Sequence, residues 1–134
     1  MRRFKLSALA GLIGAGLVAG AAPHAVHAAQ SDEAAQMAAF FKSTLEIRTA
    51  AGDWSAERYM EADHTYRERG SDGELRGAWR IENGKICTTP GKPLGDDRAA
   101  TYCNIGLGKK VGDAWNDQDP VTGATVMFKL KPGR

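Results

Sequence analysis

Two residue types that carry much of protein chemistry are scarce in this 134-residue chain: it has two cysteines, Cys87 and Cys103, and three histidines. Two of the histidines, His24 and His27, fall within the first 28 residues, so only His64 lies beyond them. That is too few nitrogen and sulfur ligands for a cysteine–histidine zinc module. No serine stands in a Gly-x-Ser-x-Gly elbow, which excludes the nucleophile turn of an α/β-hydrolase. Neither sign of charge dominates, with 18 Lys and Arg against 16 Asp and Glu. No internal repeat with a period of about 20–50 residues is present, which excludes solenoids and propellers. No cofactor-binding motif is present either, and no cofactor or resident metal is expected.

What is present begins with an export signal. Arg2, Arg3 and Lys5 precede an uncharged stretch, Leu6 to Ala22, which Pro23 ends. Val26-His27-Ala28 supplies small or modest residues before a cut, placed between Ala28 and Ala29. The stretch is short for a spanning helix of about 20 residues, so cleavage is expected rather than stable membrane insertion. No cysteine lies near the cut to carry a lipid anchor. Setting aside the three leader cations turns 18 basic against 16 acidic residues into 15 against 16, a net charge of −1. Nothing in that balance argues for nucleic acid.

Residues 29–134 are then one domain, periplasmic or secreted, with a modest core. Two cysteines in an exported chain point to an oxidising compartment and one Cys87–Cys103 disulfide. Closing a loop of about 15 residues contributes roughly 3 kcal/mol in the chain-entropy view.

A helix is expected from Ser31 to about Lys42, with Ser31 as its cap, Asp32 and Glu33 at its positive end, and Ala34, Met37, Ala38 and Phe41 on one face. The hydrophobic period then changes to two. Strands are expected over Thr44–Thr49, Trp54–Met60, Thr65–Arg69, Glu74–Ile81, Lys85–Thr88, Thr101–Leu107 and Ala124–Leu130. The fourth is the clearest: Leu75, Gly77, Trp79 and Ile81 share one face, and Glu74, Arg76, Ala78 and Arg80 the other. Gly70 to Gly73 and Asn83-Gly84 are hairpin turns. Cys103, Ile105 and Leu107 fall on one face of their strand. Gly108 to Gly123 is turn-rich, with brief pairing at Val111 and Ala114-Trp115. The fold class is therefore mainly β: an antiparallel up-and-down meander forming a small barrel or half-barrel, with one N-terminal helix.

Tyr59, Asp63-x-Thr65-Tyr66, Gly77-x-Trp79-x-Ile81-x-Asn83-Gly84-x-Ile86-Cys87 and Tyr102-Cys103 together resemble a motif of small exported bacterial proteins, G-x-W-x-v-x-dG-x-lC after a "DGT" turn. His64 stands where that turn commonly has glycine. The likeness spans Thr44 to Leu107 and is similar to lipocalin-like and other β-meander domains of unknown function. It implies an architecture, with Trp79 and the tyrosines filling the inner face of the sheet, and no catalytic residues.

Four candidate sites follow from the residues. Arg67, Arg69, Arg76 and Arg80 would form a basic stripe on the outer face, fit for an anionic ligand or an acidic partner, unless Glu68, Glu74 and Glu82 neutralise it. Trp79, Tyr59, Tyr66, Tyr102, Ile105 and Phe128 would line an apolar cavity, although small barrels usually fill with their own side chains. His64 beside Asp63 offers acid–base chemistry, against the plainer reading of an exposed turn histidine. Asp113, Asn116, Asp117 and Asp119 offer oxygen ligands without the spacing of a calcium-binding loop. The function expected is non-catalytic binding of a small ligand or envelope protein. The alternatives are an inhibitor acting through Thr89–Ala99 or Gly112–Gly123, and a hydrolase using His64.

Overall fold

A computed structural model describes residues 24–91 and 100–134. Among these residues it shows one helix, α1 (His24–Phe41), followed by eight strands: β1 (Ser43–Thr49), β2 (Ser55–Met60), β3 (Thr65–Gly70), β4 (Gly73–Glu82), β5 (Lys85–Pro90), β6 (Tyr102–Gly106), β7 (Ala114–Gln118) and β8 (Thr125–Pro132). All pairings are antiparallel, in the order β6-β5-β4-β3-β2-β1-β8-β7. The first six strands are successive hairpin neighbours. The β7–β8 hairpin joins the other side through β8 and β1, so the sheet curls into a nearly closed barrel whose seam lies between β6 and β7. Side chains cross that seam. The Asn104 amide donates to the Gln118 carbonyl at 3.4 Å, and Lys85 pairs with Asp117 at 2.6 Å.

The expected meander is therefore present, with one strand more than the seven read from the sequence. Gly108 to Gly123 is not all turn: β7 pairs over its full length with β8, placing Trp115 against Phe128 with ring centroids 5.5 Å apart. Asn83 and Gly84 both have positive φ, 50° and 73°, as the two-residue turn requires. Cys87 and Cys103 are disulfide-bonded between neighbouring strands. The pairing register shifts there, because Ile86 opposes Ile105 while Cys87 opposes Cys103. Asn104 is the extra residue of a bulge. Cys103 consequently faces out beside Cys87 while Ile105 faces in, so the expected shared face of the two is broken.

α1 begins at His24, so Ser31, Asp32 and Glu33 lie within the helix and not at its start. The expected cut between Ala28 and Ala29 also falls within it. Its buried residues are Met37 and Phe40, with Phe41 partly buried, whereas Ala34 and Ala38 are exposed. That i, i+3, i+4 set seats the helix on one end of the barrel. Met37 and Phe40 join Leu45, Met60, Ile86 and Leu130 in a closed core at that end. Phe41 meets Trp79 at 5.9 Å between ring centroids. The other end, where β1–β2, β3–β4 and β7–β8 turn, is not filled by the described residues.

Candidate functional site

At that end the described residues enclose a cavity of about 740 Å³. Its walls are apolar side chains that alternate inward from the strands: Ile47 from β1, Leu75 from β4, Val126 and Phe128 from β8, with Trp54 at the rim. The expectation that a barrel this small fills itself holds only for the half beneath α1.

The floor is polar. In β2 the inward residues are Ala56, Arg58 and Met60; in β3 they are Tyr66 and Glu68. The ladder sets Arg58 opposite Glu68. Arg58 Nε donates to Glu68 at 2.7 Å and Nη1 donates to the Thr88 hydroxyl at 3.0 Å. The two side chains are only 11% and 4% exposed. The guanidinium also lies 4.6 Å above the Tyr66 ring. That ring rests in turn on Gly77, where a Cβ would sit 2.5 Å from Tyr66 Cε1. Glycine is thus required in mid-strand, both so that Tyr66 can lie flat and because the Thr89 carbonyl oxygen of β5 crowds the same point. The Tyr66 hydroxyl is buried and has no hydrogen-bond partner among the described residues. Burial pushes its pKa up to about 12, with Glu68 adding in the same direction and Arg58 opposing. Tyr102 and Asn104 add to the polar part of the wall.

Of the six residues read as possible cavity lining, Tyr66, Tyr102 and Phe128 line it. Trp79 and Ile105 lie in the closed core, where the Trp79 indole donates to the Glu61 carbonyl at 2.8 Å. Tyr59 does not fill the inner face. Strand alternation puts it outside, where its hydroxyl donates to Glu57 and Arg67 lies over its ring.

The four arginines are on the outer face. Arg67 pairs with Glu61 at 3.2 Å, Arg69 with Glu74 at 2.9 Å and Arg80 with Glu82 at 2.8 Å. Arg76 lies opposite Arg67 in the ladder and has no carboxylate partner among the described residues. The stripe is therefore largely a mixed-charge surface. Glu68, expected among its neutralising carboxylates, instead points into the barrel.

His64 and Asp63 do not line the cavity. His64 Nε2 pairs with Glu33 of α1 at 2.6 Å, and its ring packs against Trp79 in a tilted arrangement, 4.5 Å between centroids. Asp63 accepts from the amide and hydroxyl of Thr65, and this holds its carboxyl below the usual range. His64 thus joins the β2–β3 turn to the helix, and Asp63 braces the turn itself. His64 has φ of 65°, a conformation that glycine adopts more easily.

The acidic loop does not converge either. Asp113 accepts from the Lys110 amide, Asp117 holds Lys85, and Asp119 accepts from the Val121 and Thr122 amides. Asp113 and Asp119 sit at opposite ends of β7, about 20 Å of extended chain apart. Among the described residues, the one group of three metal-type side chains within mutual reach is Glu82, Cys87 and Cys103, and its cysteines are oxidised. Most of the Thr89–Ala99 loop lies outside the described residues, and Gly112–Gly123 is occupied by β7.

The Arg58–Glu68 floor was missed in the sequence because both residues look like ordinary polar positions of half-exposed strands. The signal that finds it is opposite charge at inward positions of two strands joined by a four-residue turn. Comparison of the chain with family models, with curated proteins and with solved structures finds no match.

Proposed function

We propose that the protein is an exported, non-catalytic binding module that carries or senses a small, partly apolar molecule inside its barrel. The observation that supports this best is the cavity of about 740 Å³ floored by a buried ion pair. Its size falls in the range of about 300–1,000 Å³ typical of small-molecule sites, and so does its composition, apolar walls with a few convergent polar groups. A buried Arg–Glu pair is seldom the most stable way to fill a core, since apolar residues of similar volume usually do as well or better. Keeping one at the bottom of an open cavity suits recognition better than stability.

Export to the periplasm or beyond is part of the same proposal. Its support is the Arg2-to-Ala28 leader pattern and the Cys87–Cys103 disulfide, which fits an oxidising compartment. No helix among the described residues is long and apolar enough to cross a membrane. The lipocalin-like resemblance points the same way, because barrels of eight strands can hold one small ligand.

Native mass spectrometry of protein purified from its own cell envelope tests the proposal. A retained small molecule, released by unfolding and absent from a Val126→Trp variant that fills the cavity, is expected. Ligand-free protein, or a ligand retained equally by the filled variant, would count against it.

A further inference from the structure

Three turns build the rim of the cavity, and each contributes one carboxylate to its lining. Asp53 comes from the β1–β2 turn, Asp72 from the β3–β4 turn and Asp119 from the β7–β8 turn. Among the described residues their hydrogen bonds are to neutral donors: the Thr49 hydroxyl for Asp53, the Trp54 indole at 3.3 Å for Asp72, and the Val121 and Thr122 amides for Asp119. Neutral donors fix a carboxylate in place and leave its charge uncompensated. Among the described lining residues one cation, Arg58, stands against four carboxylates, and Arg58 is already engaged with Glu68 on the floor.

Two further observations point to what enters. Trp54 is held on the rim by Asp72, so an aromatic face and carboxylates are presented together, which is the chemistry that attracts an ammonium group. Tyr66, 1% exposed, lines the same cavity with a hydroxyl that has no partner among the described residues. An unpaired buried hydroxyl is costly, and a ligand's polar atom would relieve that cost.

We infer that the cavity selects organic amines, with the protonated nitrogen at the Asp53–Asp72–Asp119 rim beside Trp54 and the apolar body running down over the wall formed by Ile47 and Phe128 toward the Tyr66 hydroxyl. This rests on the proposed ligand-binding role of the barrel and names the class of ligand. Anionic amphiphiles such as fatty acids are disfavoured by the same rim.

Isothermal titration at pH 7 with decylamine, decanol and decanoate tests it, because the three share one chain and differ in charge. Decylamine is expected to bind at least about ten-fold more tightly than decanoate, with decanol between them and the ratio shrinking in high salt. Joint Asp53→Asn, Asp72→Asn and Asp119→Asn substitution is expected to abolish the preference while decanol affinity stays within about two-fold. Should the triple variant not fold, the single Asp53→Asn and Asp119→Asn variants should each lower the decylamine-to-decanoate ratio. Decanol binding with decanoate equal to or tighter than decylamine would overturn the selection of amines and leave the cavity's role intact. Failure of all three to bind would overturn both.

Discussion

Arg58 and Glu68 face each other across the β2–β3 ladder, both turned inward, joined at 2.7 Å beneath an open cavity. Removing one partner leaves an uncompensated buried charge. Arg58→Met is therefore expected to destabilise by about 3–5 kcal/mol, and Arg58→Met with Glu68→Leu to recover most of that loss. Chemical denaturation of the two variants measures both. A single variant within about 1 kcal/mol of the parent would mean the pair is solvated.

Gly77 and Tyr66 are a second linked pair. Gly77→Ala introduces a Cβ against the Thr89 carbonyl oxygen of β5 and at 2.5 Å from the Tyr66 ring, which must lift from the sheet. The cost expected is about 1–3 kcal/mol, together with weaker occupancy of the cavity, since the floor rises into it. Tyr66→Ala in the same background should remove the ring's share of the penalty and leave the share set by the Thr89 carbonyl, visible as partial non-additivity in melting experiments.

Tyr66 also gives the molecule an alkaline limit. Its pKa is raised from 10.0 to about 12, so the folded state favours the neutral phenol. The associated stability is fully present below pH 10 and is lost as pH rises from there through about 12. Stability measured from pH 9 to 12 should fall, and Tyr66→Phe should flatten that part of the fall. An unchanged profile in the variant would show that Tyr66 does not couple to folding.

The Cys87–Cys103 bond closes a segment of 16 residues in sequence separation. Replacing both cysteines by alanine should cost about 3 kcal/mol. Protein taken from the envelope should weigh two protons less than its reduced form. Two alkylatable thiols in that material would contradict export to an oxidising compartment.

The parts of the fold legible in the sequence are those where one rule acts alone. β4 is one: its Leu75, Trp79 and Ile81 alternate cleanly because one face is buried and the other solvated. β7 is legible only at Ala114-Trp115, since Ala-Trp-Asn-Asp-Gln has no β-branched residue and is an edge strand supported by β8. Tyr59 was turned the wrong way because aromatic residues usually mark the inner face, whereas here Arg58 and Met60 fix the inward phase of β2. The bulge at Asn104 reverses the phase of β6, and nothing local signals it. The cavity's polar floor and acidic rim arise from register and from turns far apart in sequence, so individual strands do not reveal them.

The most direct measurement is a fluorescence titration with a neutral apolar probe, N-phenyl-1-naphthylamine, carried out on the parent protein and on the Val126→Trp variant. A cavity open at the rim end predicts saturable one-to-one binding in the micromolar range, lost in the filled variant while its melting temperature is kept. Absence of saturable binding to the folded parent, or identical binding by both proteins, would contradict a ligand site within the barrel.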